Sequence, residues 1–544
     1  MAKVADAGAF RVTRNRVAWL VSLASLINLS STPLSAYISE SFPWTLRPSF
    51  PETVFESDSD ANLTRRLQRL YNSSTLPLGA TYVVDGSTLA QVGRQTLHLG
   101  MEANLTLDKC ISTYLLGLPG LIFYRPKQLQ LVCTILSASN SSTVLDWAGA
   151  CTVDVICAIP YGRSCLWLTP GDDIHNTSDA QVVTLTYASL PRPWVSWAWI
   201  KLVYRLATTL LVWHRLWHRY YVHVLALEAT VRRCGHRHKP GAWTYEVLAG
   251  DPTAIVLLDP WIASAFYIDV WLSVTNLAMA VIQQMQSANF YIKVLSATYL
   301  SRTVWFAYWS LCLVSRLLKR YAIEHKFSEV DPTLLAIAVS VYGPVLTSLN
   351  GQVPFMVAFY QWSFAYFLPV SAQDDQVEVS LAILVYTLNI AILPVLYGFC
   401  APLLRHCCCR ASRRPNYSSY TYSNFKSRLV FDCFRLIPPG ATALGGNVHQ
   451  AIERDPHLKR CPTISLRATD CFLTVYCNGQ RQETLRLSLL CCMDTQSIGD
   501  ASTASSFPFN VLTLPPQAAL LVPQTTQPLV YEIQRPNEPS AWCL

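Results

Sequence analysis

Charge is scarce in this chain. Asp, Glu, Lys and Arg make up 14% of its 544 residues, while apolar residues make up 51%, a balance unlike that of ordinary soluble domains. The motifs of soluble enzymes are missing too. There is no Walker A loop, no Gly-x-Gly-x-x-Gly opening a helix, no His-Glu-x-x-His and no Gly-x-Ser-x-Gly. No catalytic residue, metal or cofactor is therefore assigned, and an enzyme is the least supported class. The net charge of +8 is spread out, and no basic run reads as a nucleic-acid-binding tail. No internal repeat is visible.

What is present is a partition of two surface chemistries. Asn62, Asn72, Asn104, Asn140 and Asn176 all stand in Asn-x-Ser/Thr context, and after residue 190 only Asn416 does. Chance would put roughly one such sequon in a stretch of that size, so the N-terminal third reads as a glycosylated surface in the secretory lumen. Long apolar runs follow, and those at 254–282 and 379–404 exceed the roughly 20 residues a helix needs to cross a bilayer. The expected fold is a multi-pass α-helical membrane protein with an N-terminal glycosylated β or α+β ectodomain and a cytosolic tail.

Residues 1–37 carry Arg11, Arg14 and Arg16 ahead of an apolar stretch from Val17 to Leu29, the layout of a secretory signal. No small-x-small cleavage site follows clearly, which favours an uncleaved anchor over a removed peptide. Residues 38–193 form the ectodomain. Thr81–Val84 and Gln128–Val132 alternate like strands, and the cysteine-dense stretch from Cys151 to Cys165 reads as loop. Cys110, Cys133, Cys151, Cys157 and Cys165 are disulfide candidates there, and their odd number leaves one over.

The bundle, 194–404, contains five hydrophobic segments at about 194–213, 254–282, 294–315, 333–370 and 379–404. Lys and Arg crowd the loops after the first, third and fifth, while 371–378 has only acidic charges. This places the N-terminus and C-terminus in the cytosol, with the ectodomain outside. The fourth segment is long for one crossing and is interrupted by Gly343-Pro344, Asn350-Gly351 and Pro354. A kinked helix with a re-entrant or interfacial arm fits it. In the tail, 405–495 holds a small β patch with a hairpin turn at Cys477–Gln480, and 496–544 is rich in Ser, Thr, Pro and Gln and reads as disordered.

Three groups of residues are candidates for chemistry. Cys407, Cys408 and Cys409 sit among arginines at the inner boundary, the usual setting of S-palmitoylation. His214, His218, Cys234, His236 and His238 are metal-ligand types, but the adjacent arginines repel a cation. The third group is the intramembrane charges. Asp269 shares a polar stripe with Ser273, Asn276 and Gln283, at a depth of about 19 Å; Arg205 lies about 16 Å deep and Arg302 about 12 Å deep. Unpaired charges there are costly, so Asp269 is expected to pair with Arg205 first and Arg302 second, and Asp259 with Arg316 or Arg215. Structural pairing is favoured over an ion path.

At Tyr299–Tyr308 and Phe327–Thr333, and again at Arg486–Cys492, the chain resembles an expanded set of uncharacterised multi-pass membrane proteins of oomycetes. The resemblance is confined to these short stretches of the bundle core and the tail, and it implies membrane architecture without an activity. The architecture points to a cell-surface receptor, sensor or adhesion-type protein of the plasma membrane. Its expected partners are the lipid bilayer, an extracellular ligand at the ectodomain and a cytosolic partner at the tail, with no nucleic acid. The second class is a transporter or channel subunit, suggested by the polar stripe and the broken fourth segment.

Overall fold

The computed structural model describes residues 10–46, 60–72, 81–85, 89–99, 106–118, 149–156, 159–170, 181–192, 194–234, 242–257, 259–287, 289–367, 376–378, 380–408, 424–436 and 455–494, with short pieces at 121, 129–130, 132–134, 443–445, 448–449, 452, 521–523, 531–533 and 541–543.

Strand β1 (Phe10–Arg14) precedes helix α1 (Arg16–Ser31), whose first turn is capped by the Asn15 side chain accepting from the Ala18 N–H. A helix α2 (Asp60–Leu70) and strands β2 (Tyr82–Val84), β3 (Gln91–Leu99), β4 (Gly149–Ile156), β5 (Ile159–Pro170) and β6 (Gln181–Pro191) build the N-terminal domain. Helix α3 (Val195–Leu216) runs on through a π turn (Trp217–Tyr221) into Val222–Cys234, and β7 (Trp243–Leu248) follows.

Helix α4 (Pro260–Leu272) begins with Asp259 as N-cap and proline at its first position, a pre-organised start. It breaks at Ser273 into α5 (Val274–Gln286), bent by 69°. Helices α6 (Phe290–Leu300) and α7 (Val304–Tyr321) are joined by one 3-10 turn. Helix α8 (Pro332–Gln352) is capped by Asp331 and ends at Val353, which is extended because the next residue, Pro354, disfavours a helical conformation before it. Helix α9 (Pro354–Phe367), strand β8 (Gln376–Glu378), helix α10 (Ser380–Cys408), helix α11 (Phe425–Cys433), and strands β9 (Ala443–Gly445), β10 (Cys471–Cys477), β11 (Gln480–Leu489), β12 (Leu521–Pro523), β13 (Tyr531–Ile533) and β14 (Trp542–Cys543) complete the chain.

Two six-stranded sheets organise these elements. The first has the order β2-β3-β6-β5-β4-β8, and β8, from the loop between α9 and α10, joins it in parallel with β4. The second runs β1-β7-β10-β11-β14 with β9 added beside β11. Helix α8 shows that they lie at opposite ends of the bundle. Its start adjoins Val330, bridged to Ile464 beside the second sheet, and its end carries Gly351, whose carbonyl accepts from Gly117 of the N-terminal domain.

Among the described residues the chain passes between the two ends through α1, α3, α4–α5, α6–α7, α8 and α10. Helix α9 stays under the first sheet, where Val357 and Tyr360 share a core with Leu166, Leu168 and Tyr187. Three helices are long and apolar enough to cross a membrane: Val195–Arg232, Pro332–Leu349 and Ile383–Leu404. The α4–α5 pair is a fourth if it is one bent span. Helix α3 has its polar stripe inside and its apolar face outside, with Arg205 fully buried and Leu210 69% exposed. That inversion suits a lipid solvent.

Several expectations need correction. The single 254–282 span divides into a short helix, Thr253–Leu257, and the bent pair α4–α5, and 294–315 is interrupted at Ser301–Thr303. In the fourth segment Pro344 lies inside a continuous helix, so the break comes later than Gly343-Pro344. Residues 129–130 and 132–134 are helical, with Thr134 Oγ1 donating to the Gln130 carbonyl and Cys133 tied to Cys110. Cys151–Cys165 is a hairpin of β4 and β5 whose two cysteines are cross-strand partners.

The small β patch of the tail is part of the larger second sheet. It recruits residues 10–14, read as a signal n-region, and residues 243–248, read as loop. The hairpin turn holds Asn478 and Gly479 at φ 50° and 80°, the left-handed pair such a turn requires. The expectation of disorder over 496–544 fails at its described residues: β12 and β13 pair, and Trp542 is buried with its indole donating to the His223 carbonyl.

Candidate functional site

At the break between α4 and α5, five charged side chains meet out of solvent. Arg205, from the inner face of α3, donates from Nε to Asp269 Oδ1 at 2.9 Å, from Nη1 to Glu40 Oε2 at 3.0 Å, and from Nη2 to Glu40 Oε1 and Ser273 Oγ at 2.7 Å each. Lys201, one turn earlier, donates to Glu40 Oε2 at 2.7 Å, and Arg302 pairs with Asp269 Oδ2. The Tyr299 hydroxyl donates to Glu40 Oε1 at 2.6 Å, and the Tyr37 ring lies 4.7 Å from the Arg205 guanidinium carbon.

Three cations therefore face two carboxylates, and four of the five N–H groups of the Arg205 guanidinium have an acceptor. The helix break is part of the site: the Leu272 carbonyl, freed there, accepts from Trp197 Nε1 at 3.1 Å. Asp269, Arg205 and Arg302 come together, with Asp269 bonded to both arginines. Ser273 and Asn276 of the polar stripe also join, although the stripe is bent. Glu40 escaped the sequence reading. It follows the 3-10 turn Leu34–Ile38, outside any helical period, and its only signal is that no other acidic residue lies between Asp6 and Glu52.

Glu40, Lys201 and Asn276 also line a cavity of about 370 Å³ between bundle and first sheet. Trp194, Trp197 and Trp271 line it from the helices, and Ile159, Pro160 and Tyr161 from the sheet. The cluster's excess cation thus borders a concave, largely apolar space, the usual make-up of a small-molecule site.

A second cavity, of about 520 Å³, lies at the other end and is lined by Arg215, Arg219, Asp259, Arg316, Lys319 and Arg460 among others. Asp259 Oδ2 receives Arg215 at 3.3 Å and Arg219 at 3.0 Å, while its Oδ1 caps the Trp261 N–H. Arg316 lines the same cavity without pairing with Asp259.

Of the other candidates, Asn62 and Asn72 are exposed, in the first turn of α2 and just after its end; Asn104, Asn140 and Asn176 lie outside the described residues. Two disulfides form, Cys110–Cys133 and Cys151–Cys165, and Cys157 lies outside the described residues. Cys407 and Cys408 end α10, and Cys409 lies outside the described residues. The His214 and His218 rings are 4.4 Å apart, and His236 and His238 lie outside the described residues. Compared with family models, curated proteins and solved structures, the chain matches none.

Proposed function

We propose that this protein is a multi-pass membrane receptor or sensor, glycosylated on an outer N-terminal domain, whose ligand occupies the cavity between that domain and the bundle. The carrying observation is the joint lining: Tyr161 and Pro160 from the sheet and Lys201, Trp197 and Trp271 from the helices enclose one space. A ligand bonded to both layers would change how they sit together, and that change is what a sensor transmits. The excess positive charge beside an apolar wall favours an amphiphilic organic anion.

The orientation draws its support from sheet membership. Residues 10–14, 243–248 and 471–489 share one sheet, while 376–378 joins the sheet of the sequon-bearing domain. In this arrangement, glycosidase treatment shifts the mass of an N-terminal fragment carrying Asn62 and Asn72, and a tag at Leu544 stays hidden from antibody in intact cells. Labelling of that tag without permeabilisation would overturn the orientation.

The ligand reading is tested with decanoate and decanol as probes on the detergent-purified chain. Decanoate should raise the melting temperature saturably and decanol should not, and Thr275→Trp, which fills the cavity from the first turn of α5, should abolish the shift. Equal shifts from both probes, or a shift that survives Thr275→Trp, would refute it. One observation favours a transporter instead: the charges gather at a broken helix pair, a construction that transporters use at substrate sites. Substantial solute flux in proteoliposomes would put that reading first.

A further inference from the structure

The second cavity has a chemistry that the sensor reading does not use. Arg215 from α3 and Arg219 from its π turn, Arg316 and Lys319 near the end of α7, and Arg460 from the tail converge on one space of about 520 Å³. Against these five cations stand two carboxylates. Asp259 is shared by Arg215 and Arg219, and Asp494 holds Lys319 at 3.1 Å. Arg316 and Arg460 have no ion-pair partner among the described residues. Like charges do not gather in a concave space without an anion to offset them, because their mutual repulsion grows as water is excluded.

The position narrows the anion. Arg215 and Arg219 lie where α3 leaves the exposed apolar face of Leu206, Leu210 and Trp213 and reaches Tyr220 and Tyr221, which pack in the core shared with the second sheet. Arg316 and Lys319 are in the last turns of α7, and Trp261, in the first turn of α4, is 72% exposed beside the cavity. An exposed tryptophan next to basic helix ends is the composition of a membrane–water boundary. Here the argument rests on the membrane orientation proposed above, which puts this boundary on the cytosolic side.

We infer that this cavity binds a phosphorylated inositol headgroup, its phosphates held by Arg316 and Arg460 and flanked by Arg215, Arg219 and Lys319. Arginine forks match phosphate oxygens in bidentate geometry, and basic pockets between helices on the cytosolic side are the known form of anionic headgroup sites. The volume falls within the roughly 300–1,000 Å³ usual for small-ligand sites. The same chemistry is carried by a membrane phosphoinositide and by a soluble inositol phosphate.

The test uses the full chain in phosphatidylcholine nanodiscs, with and without phosphatidylinositol bisphosphate, and the full chain in detergent with inositol hexakisphosphate. Binding is read by native mass spectrometry. Lipid binding without the soluble ligand assigns the site to the membrane lipid, and binding of the soluble ligand assigns it to the headgroup alone. In either case Arg316→Gln with Arg460→Gln weakens binding about thirtyfold, and the charge-preserving pair Arg316→Lys with Arg460→Lys weakens it less, keeping the charge while losing the bidentate fork. Arg428→Gln, at an exposed position on α11, leaves binding unchanged. The Gln and Lys pairs remove no ion pair among the described residues, and Arg428→Gln removes only the exposed contact to Asp432 at 3.8 Å, so a normal elution profile is expected and checked first. The inference fails if neither probe binds, if the Gln pair binds like wild type, or if Arg428→Gln weakens binding equally. The detergent arm needs no bilayer, so it fails or succeeds independently of the orientation, which the tag at Leu544 tests separately.

Discussion

Arg205→Gln and Asp269→Asn each cost about 3–5 kcal/mol of folding stability, and the double variant costs less than their sum. The reason is the arrangement around Arg205. Its four buried hydrogen bonds end on Asp269, Glu40 and Ser273, so glutamine in its place leaves two carboxylates short of donors. Asp269→Asn leaves three cations facing Glu40 alone, and in a medium of low polarity that repulsion has no nearby relief. When both are changed, Lys201 and Arg302 still hold Glu40, and the surplus of one positive charge is the same as in the wild type. The coupling should be about 1–3 kcal/mol, read from denaturation of purified chains or from the folded fraction delivered to the surface. Strict additivity would mean that the two side chains do not act as a pair. If Asp269→Asn folds normally but abolishes a measured flux, the carboxylate is a transport group and the cluster is a pathway.

The parts of this site legible in the sequence are those on regular helices. Counting residues inward from a bilayer boundary puts Arg205 near the level of Asp269, and their atoms lie 2.9 Å apart. Glu40 was not legible, because it follows a 3-10 turn where no helical period predicts which way a side chain faces. Helix breaks were misread in both directions. Pro344 carries a breaking signal but sits inside α8, while Ser273 carries none and ends α4, its place decided by the polar partners packed around it. The second sheet was the least visible element. Its strands at 10–14, 243–248 and 471–477 are far apart in sequence, and strand pairing at that distance depends on tertiary contacts rather than local pattern. Leu129 and Val132 show the opposite error, since alternation resembling a strand was overridden by the Cys110–Cys133 bridge and the helical turn around it.

The N-terminal domain should lose stability as pH rises from about 4 to about 7, on the order of 4 kcal/mol from one residue. Asp154 is buried on β4, beside the bulge where Asp154 faces Gly162 of β5, and its carboxylate accepts one hydrogen bond, from Ser164 Oγ at 2.6 Å. Burial pushes its pKa up to about 7, and the Ser164 hydrogen bond offsets only part of that rise. In this window the unfolded chain has released the proton and the folded chain still holds it. The folded state therefore binds more protons, and stability falls with rising pH until both forms are ionised. Two other groups, half-buried Glu329 and buried His449, run the other way but in different places. Burial would raise Glu329, yet Lys459 and Arg467 hold it down at about 2, so its contribution is lost only in stronger acid. Burial lowers His449, beside Asp470 in the other domain, so that site weakens as pH falls below the usual histidine range. Comparing wild type with Asp154→Asn cancels both. Amide hydrogen exchange of β4 and β5, corrected for intrinsic rate, should show wild-type protection falling between pH 4.5 and 7.5 while the variant stays level. Parallel pH profiles for the two chains would rule out Asp154 as the titrating group. A domain loosened at neutral pH and tightened by acid would then have to owe that behaviour to some other residue.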